Sequence, residues 1–153
     1  MLRTEVDLLR RIPLFAKIEP TKLKLLAFTS ERLAFEAGQA LFHQGDVGDA
    51  AYVVISGTAD VLVDSPGGEI PVASVKCNDI VGEIAILCDV PRTATVRATS
   101  HLETLKINKE HFWQLLTDYP SMAVEILRVL ADRLAKTTAE LTEARQRLRA
   151  PAG

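Results

Sequence analysis

The sequence predicts an α+β chain that is mainly β, a sandwich or barrel flanked by helices. Three observations carry this. Between positions 32 and 107 apolar residues come in short bursts separated by turn signals. Helical periodicity stands on both sides of that region. Inside it, one short run at 82–87 breaks the strand rhythm and reads as a single helical turn set into the wall.

Positions 5–28 are helical in pattern. Val6, Leu8, Leu9 and Ile12 recur on one face, and Pro13 interrupts before Leu14 and Phe15. A second helix over 20–28 opens with Pro20 in its first turn and carries Leu23, Leu25, Leu26 and Ala27. The bursts at 33–35, 41–42, 52–55, 61–63, 70–75, 95–96 and 102–107 are expected strands. Gly38, Gly45-Asp46, Gly48-Asp49, Ser56-Gly57 and Asn78-Asp79 mark turns between them, and Ser65-Pro66-Gly67-Gly68 reads as a hairpin turn. After position 107 Asn108 is the expected N-cap of a helix with Phe112, Leu115 and Leu116 on its apolar face. Ser121 is the expected cap of a long last helix.

In that last helix Leu127, Leu134, Leu141 and Leu148 recur every seven residues, with Ala123, Leu130, Thr137 and Ala144 four before each. This heptad seam predicts a dimerising coiled coil over 121–148, since it continues where no core remains to cover. The whole reads as one domain over 1–149: helices at 5–28, the β region at 30–107 and helices at 108–149, with a tail at 150–153.

Composition narrows the function classes. The chain has 153 residues, 48% hydrophobic and 25% charged, with a net charge of −2. That is ordinary for a globular chain, and it lacks the basic footprint of a nucleic-acid binder. No apolar run approaches the roughly 20 residues that span a bilayer, and the acidic start lacks a signal-peptide core, so a cytoplasmic setting is expected. Cys77 and Cys88 are expected as reduced thiols, and His43, His101 and His111 have no ligand-like spacing. A cupin-like metal enzyme would have to draw ligands from His43 and Glu36, so neither a metal nor catalysis is expected.

The chemistry concentrates in the stretch from Val81 to Val96. A helix start leaves backbone N–H groups unpaired, which favours an anion. Here the donors are the amides near Ile84 and Ala85, and Gly82 allows close backbone approach. Arg92, ten positions on and just past Pro91, can grip two phosphate oxygens with its fork. Thr93 adds a hydroxyl and Ala94 a small-residue amide. Glu83 is awkward beside a phosphate unless it accepts a hydrogen bond from a sugar hydroxyl while Arg92 balances its charge. A phosphate, a ribose hydroxyl and an apolar wall describe a nucleotide with one phosphate charge. On spacing alone, an ordinary surface ion pair of Glu83 with Arg92 remains the competing reading.

Gly82-Glu83-Ile84-Ala85-Ile86-Leu87 followed by Pro91-Arg92-Thr93-Ala94-Thr95-Val96 resembles the phosphate-binding cassette of cyclic nucleotide-binding domains. The resemblance extends to Gly38, Phe42, Gly45-Asp46, Gly48-Asp49 and Gly57, and to the entry formed by Leu8-Leu9 and Pro13-Leu14-Phe15. It implies an eight-stranded antiparallel jelly-roll-like β-barrel with N-terminal helices, a short cassette helix and a long C-terminal helix. It also implies roles: Glu83 on the ribose 2′-hydroxyl, Arg92 on the cyclic phosphate, and Gly82, Ile84, Ala85, Thr93 and Ala94 lining the cassette. Val63, Val72 and Val81 become candidates for the wall behind the base. Thr93 resembles the threonine with which some members reach a guanine amino group. Thr137 and Thr138 resemble a Thr-Ser pair that contacts adenine across a dimer in the catabolite activator family. The expectation is therefore a non-catalytic sensor that binds cyclic AMP in preference to cyclic GMP, with no other cofactor. It would signal through the 121–148 helix as a homodimer or to an effector protein. Because the chain ends at Gly153, no DNA-reading domain is expected. A domain that keeps this fold for protein interaction without a ligand is the alternative.

Overall fold

The computed structural model describes residues 2–149. Helix α1 (Leu2–Arg10) leads through a 3-10 turn at Pro13–Phe15 into α2 (Pro20–Thr29). Eight strands follow: β1 (Glu31–Phe35), β2 (Ala40–Phe42), β3 (Ala50–Ser56), β4 (Ala59–Ser65), β5 (Gly68–Val75), β6 (Ile80–Val81), β7 (Thr95–Ala98) and β8 (Leu102–Asn108). Helix α3 (Glu83–Leu87) lies between β6 and β7, and α4 (Lys109–Asp118) and α5 (Pro120–Arg149) close the chain. The residues fall into two compact units, one up to Leu115 and one from Leu116 onward.

The strands form two antiparallel sheets of four, in the orders β1-β8-β3-β6 and β2-β7-β4-β5. The expected barrel is therefore not closed. β2 has three residues and β6 two, too little backbone to carry a second ladder from one sheet to the other. The result is a pair of facing sheets of jelly-roll-like order. Their inner faces share one core: Ala50, Tyr52 and Val54 of β3, Ala59, Val75, Val81, Val96, Ala98 and Leu102. The other face of β3 is equally dry, with Ala51 and Val53 fully buried. That explains the unbroken apolar run Ala50-Ala51-Tyr52-Val53-Val54, where a strand with one wet face would alternate.

β5 behaves oppositely. It is an edge strand, exposed everywhere except Val75, and it tolerates Pro71 because an edge position spares the missing N–H. Pairing with β4 slips there: Leu62 faces Pro71 while Val61 faces Ala73, leaving Val72 as the extra residue of a bulge.

The helix ends refine the expectations. Asn108 caps α4, its Oδ1 accepting the amide of His111 at 2.9 Å. Ser121 does not cap α5. The helix already begins at Pro120, and the Tyr119 carbonyl accepts the amide of Met122 at 2.9 Å. Proline suits the first helical position, since its φ is preset and its missing N–H has no partner there anyway. Within α5, Met122 and Ile126 are buried, whereas Leu127, Leu134, Leu141 and Leu148 are 53–86% exposed. No helix among the described residues is long and apolar enough to cross a membrane.

Candidate functional site

The site grows from the short turn after β6. Gly82 sits at φ 85° and ψ 0°, the left-handed region that favours glycine, and starts α3. Cys88 ends it, its amide donating to the Ile84 carbonyl at 2.9 Å, and Asp89 reverses the chain at φ 52°. The Val90 amide then returns to the Ala85 carbonyl at 3.2 Å. Pro91 leads into Arg92, which comes back beside the residue that opened the turn. Its two terminal nitrogens donate to backbone carbonyls, one to Gly82 at 2.9 Å and one to Ala50 at 2.7 Å.

Arg92 is only 4% exposed, and its guanidinium carbon lies 4.0 Å from the centre of the Phe42 ring. Burial pulls its pKa below the ordinary value, while Tyr52, Asp49, Asp46 and Glu83 act the other way and favour the cation. A desolvated cation over an aromatic face gains about 2 kcal/mol, and each hydrogen bond from a charged donor about 1.5–3 kcal/mol. One nitrogen is left over. The buried Nε of Arg92 has no hydrogen-bond partner.

The loop between β2 and β3 holds the arginine from its other side. The Gly45 amide donates to the Arg92 carbonyl, and the Arg92 amide to the Asp46 carbonyl, both at 2.8 Å. Asp46 is in turn braced by the His43 amide, which donates to its Oδ2 at 3.1 Å. Gly48 approaches so closely that a Cβ there would fall 2.3 Å from the Ala85 Cβ and 3.4 Å from Cδ and Nε of Arg92. At Gly82 a Cβ would fall 2.5 Å from a terminal nitrogen of Arg92. Both glycines are thus needed for space.

Of the residues singled out in the sequence, the structure brings Gly82, Glu83, Ala85 and Arg92 together. Glu83 is 1% exposed, so its carboxylate is part of a buried charge group rather than a surface ion pair. Ile84 and Thr93 are exposed, and Ala94 is half-buried. Val81 lies in the core between the sheets and Val63 is half-buried on β4. Val72, on the β5 bulge, is 49% exposed. Thr137 and Thr138 are exposed on α5, in the second unit. Gly45, Asp46 and Gly48 were legible only as parts of turns, Phe42 only as an apolar residue of an expected strand, and Ala50 not at all. A ring used as a face and a carbonyl used as an acceptor leave no mark on residue type, though the close spacing of Gly45-Asp46 and Gly48-Asp49 hints at a tightly packed loop. Glu36, the would-be metal ligand, pairs with His101 Nδ1 at 2.9 Å. No group of three or more His, Cys, Asp or Glu among the described residues could hold a metal.

Residues 32–119, more than half of the chain, match the model of the cyclic nucleotide-binding domain. The chain belongs to that family. The cyclic nucleotide-binding domain here is 36% identical over 108 residues to the cAMP-dependent protein kinase regulatory subunit of Emericella nidulans, an overlap of 71% of this chain and 26% of the relative. The chain thus spans about a quarter of the length of the curated kinase subunits it matches. Among solved structures it is similar to the catabolite activator protein of Thermus thermophilus, with 29% identity, a TM-score of 0.73, and coverage of 86% of this chain and 62% of that one. It is also similar to the regulatory subunit of a cAMP-independent protein kinase A from Trypanosoma brucei, with 26% identity and a TM-score of 0.75 over 92% of this chain and 51% of that one. These relatives are regulatory proteins.

Proposed function

We propose that this domain is a non-catalytic sensor that takes a cyclic nucleotide at the turn between Gly82 and Ala94, cyclic AMP in preference to cyclic GMP. The observation that carries this is the buried Arg92, a cation with an unpartnered Nε beside a glycine-opened turn. Such a donor favours an anion. In this reading Arg92 holds the phosphate and Glu83 the ribose 2′-hydroxyl. Gly82, Ile84, Ala85, Thr93 and Ala94 line the turn, and Val72 and Val81 flank the base. The cyclic AMP preference rests on relatives named for that nucleotide, with Thr137 and Thr138 as the adenine contacts. Occupancy is relayed through α5, to a second copy or to an effector. The exposed leucine row of α5 supports this, because such a stripe lowers its free energy by pairing.

Titration calorimetry with both nucleotides on one protein sample tests the reading. Cyclic AMP should give heat and bind more tightly than cyclic GMP. Arg92→Ala should lose roughly 100-fold in affinity, the equivalent of one charge-assisted hydrogen bond. No heat with either nucleotide on folded protein would overturn it. For the relay, sedimentation should show self-association that Leu134→Glu removes; a monomer at all concentrations directs the signal to an effector instead.

One observation favours a second reading. Two carbonyls already hold the terminal nitrogens of Arg92 without any anion, and one structural relative is described as cAMP-independent. A domain that keeps the fold for protein interaction would behave this way. It predicts a melting temperature unmoved by either nucleotide, where a binder shifts upward by mass action.

A further inference from the structure

We propose that Phe42 is a positioning residue for the anion site: its ring is a shelf that sets the plane of the Arg92 guanidinium and so aims the unengaged Nε. The proposal rests on the reading of Arg92 as the phosphate-binding group. Two hydrogen bonds, to the carbonyls of Gly82 and Ala50, fix one edge of the guanidinium but leave it free to hinge about that edge. Contact with a face removes the hinge. The guanidinium carbon stands 4.0 Å from the Phe42 ring centre, within the range where a planar cation is attracted to a ring face.

The shelf is itself anchored. Phe42 packs on Tyr52 with ring centres 5.8 Å apart, and Tyr52 meets Phe35 edge-on at 6.5 Å and 71°. Tyr52 belongs to the core between the sheets. The irregular register of β2, which passes from Ala40 opposite Arg97 to Phe42 opposite Val96, sets the ring's place along the strand. Gly82 leaves no room to spare where ring and cation meet: a Cβ there would be 3.3 Å from the Phe42 ring and 2.5 Å from the guanidinium. The cation therefore lies on the ring with Gly82 closing the edge that both share. An aliphatic side chain could fill the volume of the ring but offers a planar cation no attractive face.

The test uses the full chain with Phe42→Tyr, which keeps the face, and Phe42→Leu, which does not. Without nucleotide, NMR should show ring-current shifts on the Arg92 δ and ε protons in the wild type. Phe42→Tyr should keep them and Phe42→Leu should lose them. Cyclic AMP affinity should fall about tenfold in Phe42→Leu and stay within about twofold in Phe42→Tyr. Adenosine, which has no phosphate, should be affected equally little by both. Phe42→Met fills the same space flexibly and replaces the leucine variant in these comparisons if the latter does not fold. Unshifted Arg92 protons in the wild type, or equal losses for cyclic AMP and adenosine, would overturn the shelf. Failure of the wild type to bind any cyclic nucleotide overturns the functional reading, while the ligand-free spectra still decide whether the shelf exists.

Discussion

The turn at α3 and the hairpin between β4 and β5 are both short reversals that use glycine, yet they are built for different purposes. At the hairpin, Gly67 and Gly68 have open space around them, with no atom within 4 Å of where a Cβ would stand. They serve the backbone alone, and Ser65 Oγ donates to the Gly68 carbonyl across the turn. At α3, Gly82 and the facing Gly48 are hemmed in by Arg92, Ala85 and the Ala50 carbonyl. There the absent side chain is a volume reserved for another group. A glycine near a binding site is informative when its neighbours, not its φ, forbid a side chain.

The largest effect expected from this contrast is at Gly48. In Gly48→Ala the new methyl must displace Ala85 or the stem of Arg92. Overpacking of this kind costs about 1–3 kcal/mol, and the melting temperature and cyclic AMP affinity should both fall. Gly82→Ala should separate the two losses. Its left-handed φ costs roughly 1–2 kcal/mol, and its closest clash is with the guanidinium of Arg92 itself, so affinity should suffer more than stability. Gly67→Ala should change stability by less than about 0.5 kcal/mol and leave binding untouched. If calorimetry and thermal melts ranked Gly67→Ala with Gly48→Ala, the contrast between the two turns would be wrong.

The smallest effect belongs to the outer face of the hairpin sheet. Arg97 donates to both carboxylate oxygens of Glu69, at 2.8 and 3.3 Å, and holds that carboxyl below its ordinary value of 4.5. A carboxylate with a lowered pKa in the folded state stabilises above its unfolded value and loses that contribution as the pH falls through the folded one. Glu69→Gln should therefore be slightly less stable than the wild type at neutral pH. The gap should close on acidification below about 4.5, and shrink with salt because the pair is exposed. A gap that widened in acid would contradict the sign.

Much of this fold is legible in the sequence, and the exceptions are instructive. The bursts of the two sheets are visible because strands of this length carry their own apolar signature, and Asn108 announces α4 by its side chain. β6 is harder to see, since two residues make no pattern. Closure of the barrel is not written in any local feature; it depends on which edges are long enough to pair. At the site, Arg92 and Glu83 stand out because a fork and a carboxylate are rare neighbours for an apolar turn. The holders of Arg92 do not, because Ala50 contributes only a carbonyl and Phe42 looks like any core aromatic. Their roles exist only once β2, β3 and the turn are brought together.

Gln44 ties two strands that do not follow each other in sequence. Its amide donates to Thr95 Oγ1 at 2.9 Å, and its Oε1 accepts the amide of Asp64 at 2.9 Å. The ladder between β4 and β7 ends at Leu62 opposite Thr95, so Gln44 sits where that ladder runs out. A slip of one residue between these strands would turn every side chain to the wrong face, and it would also move Thr95 and Asp64 apart along Gln44. One glutamine thereby acts as a register gauge, satisfied by one alignment of the sheet and by neither of its neighbours.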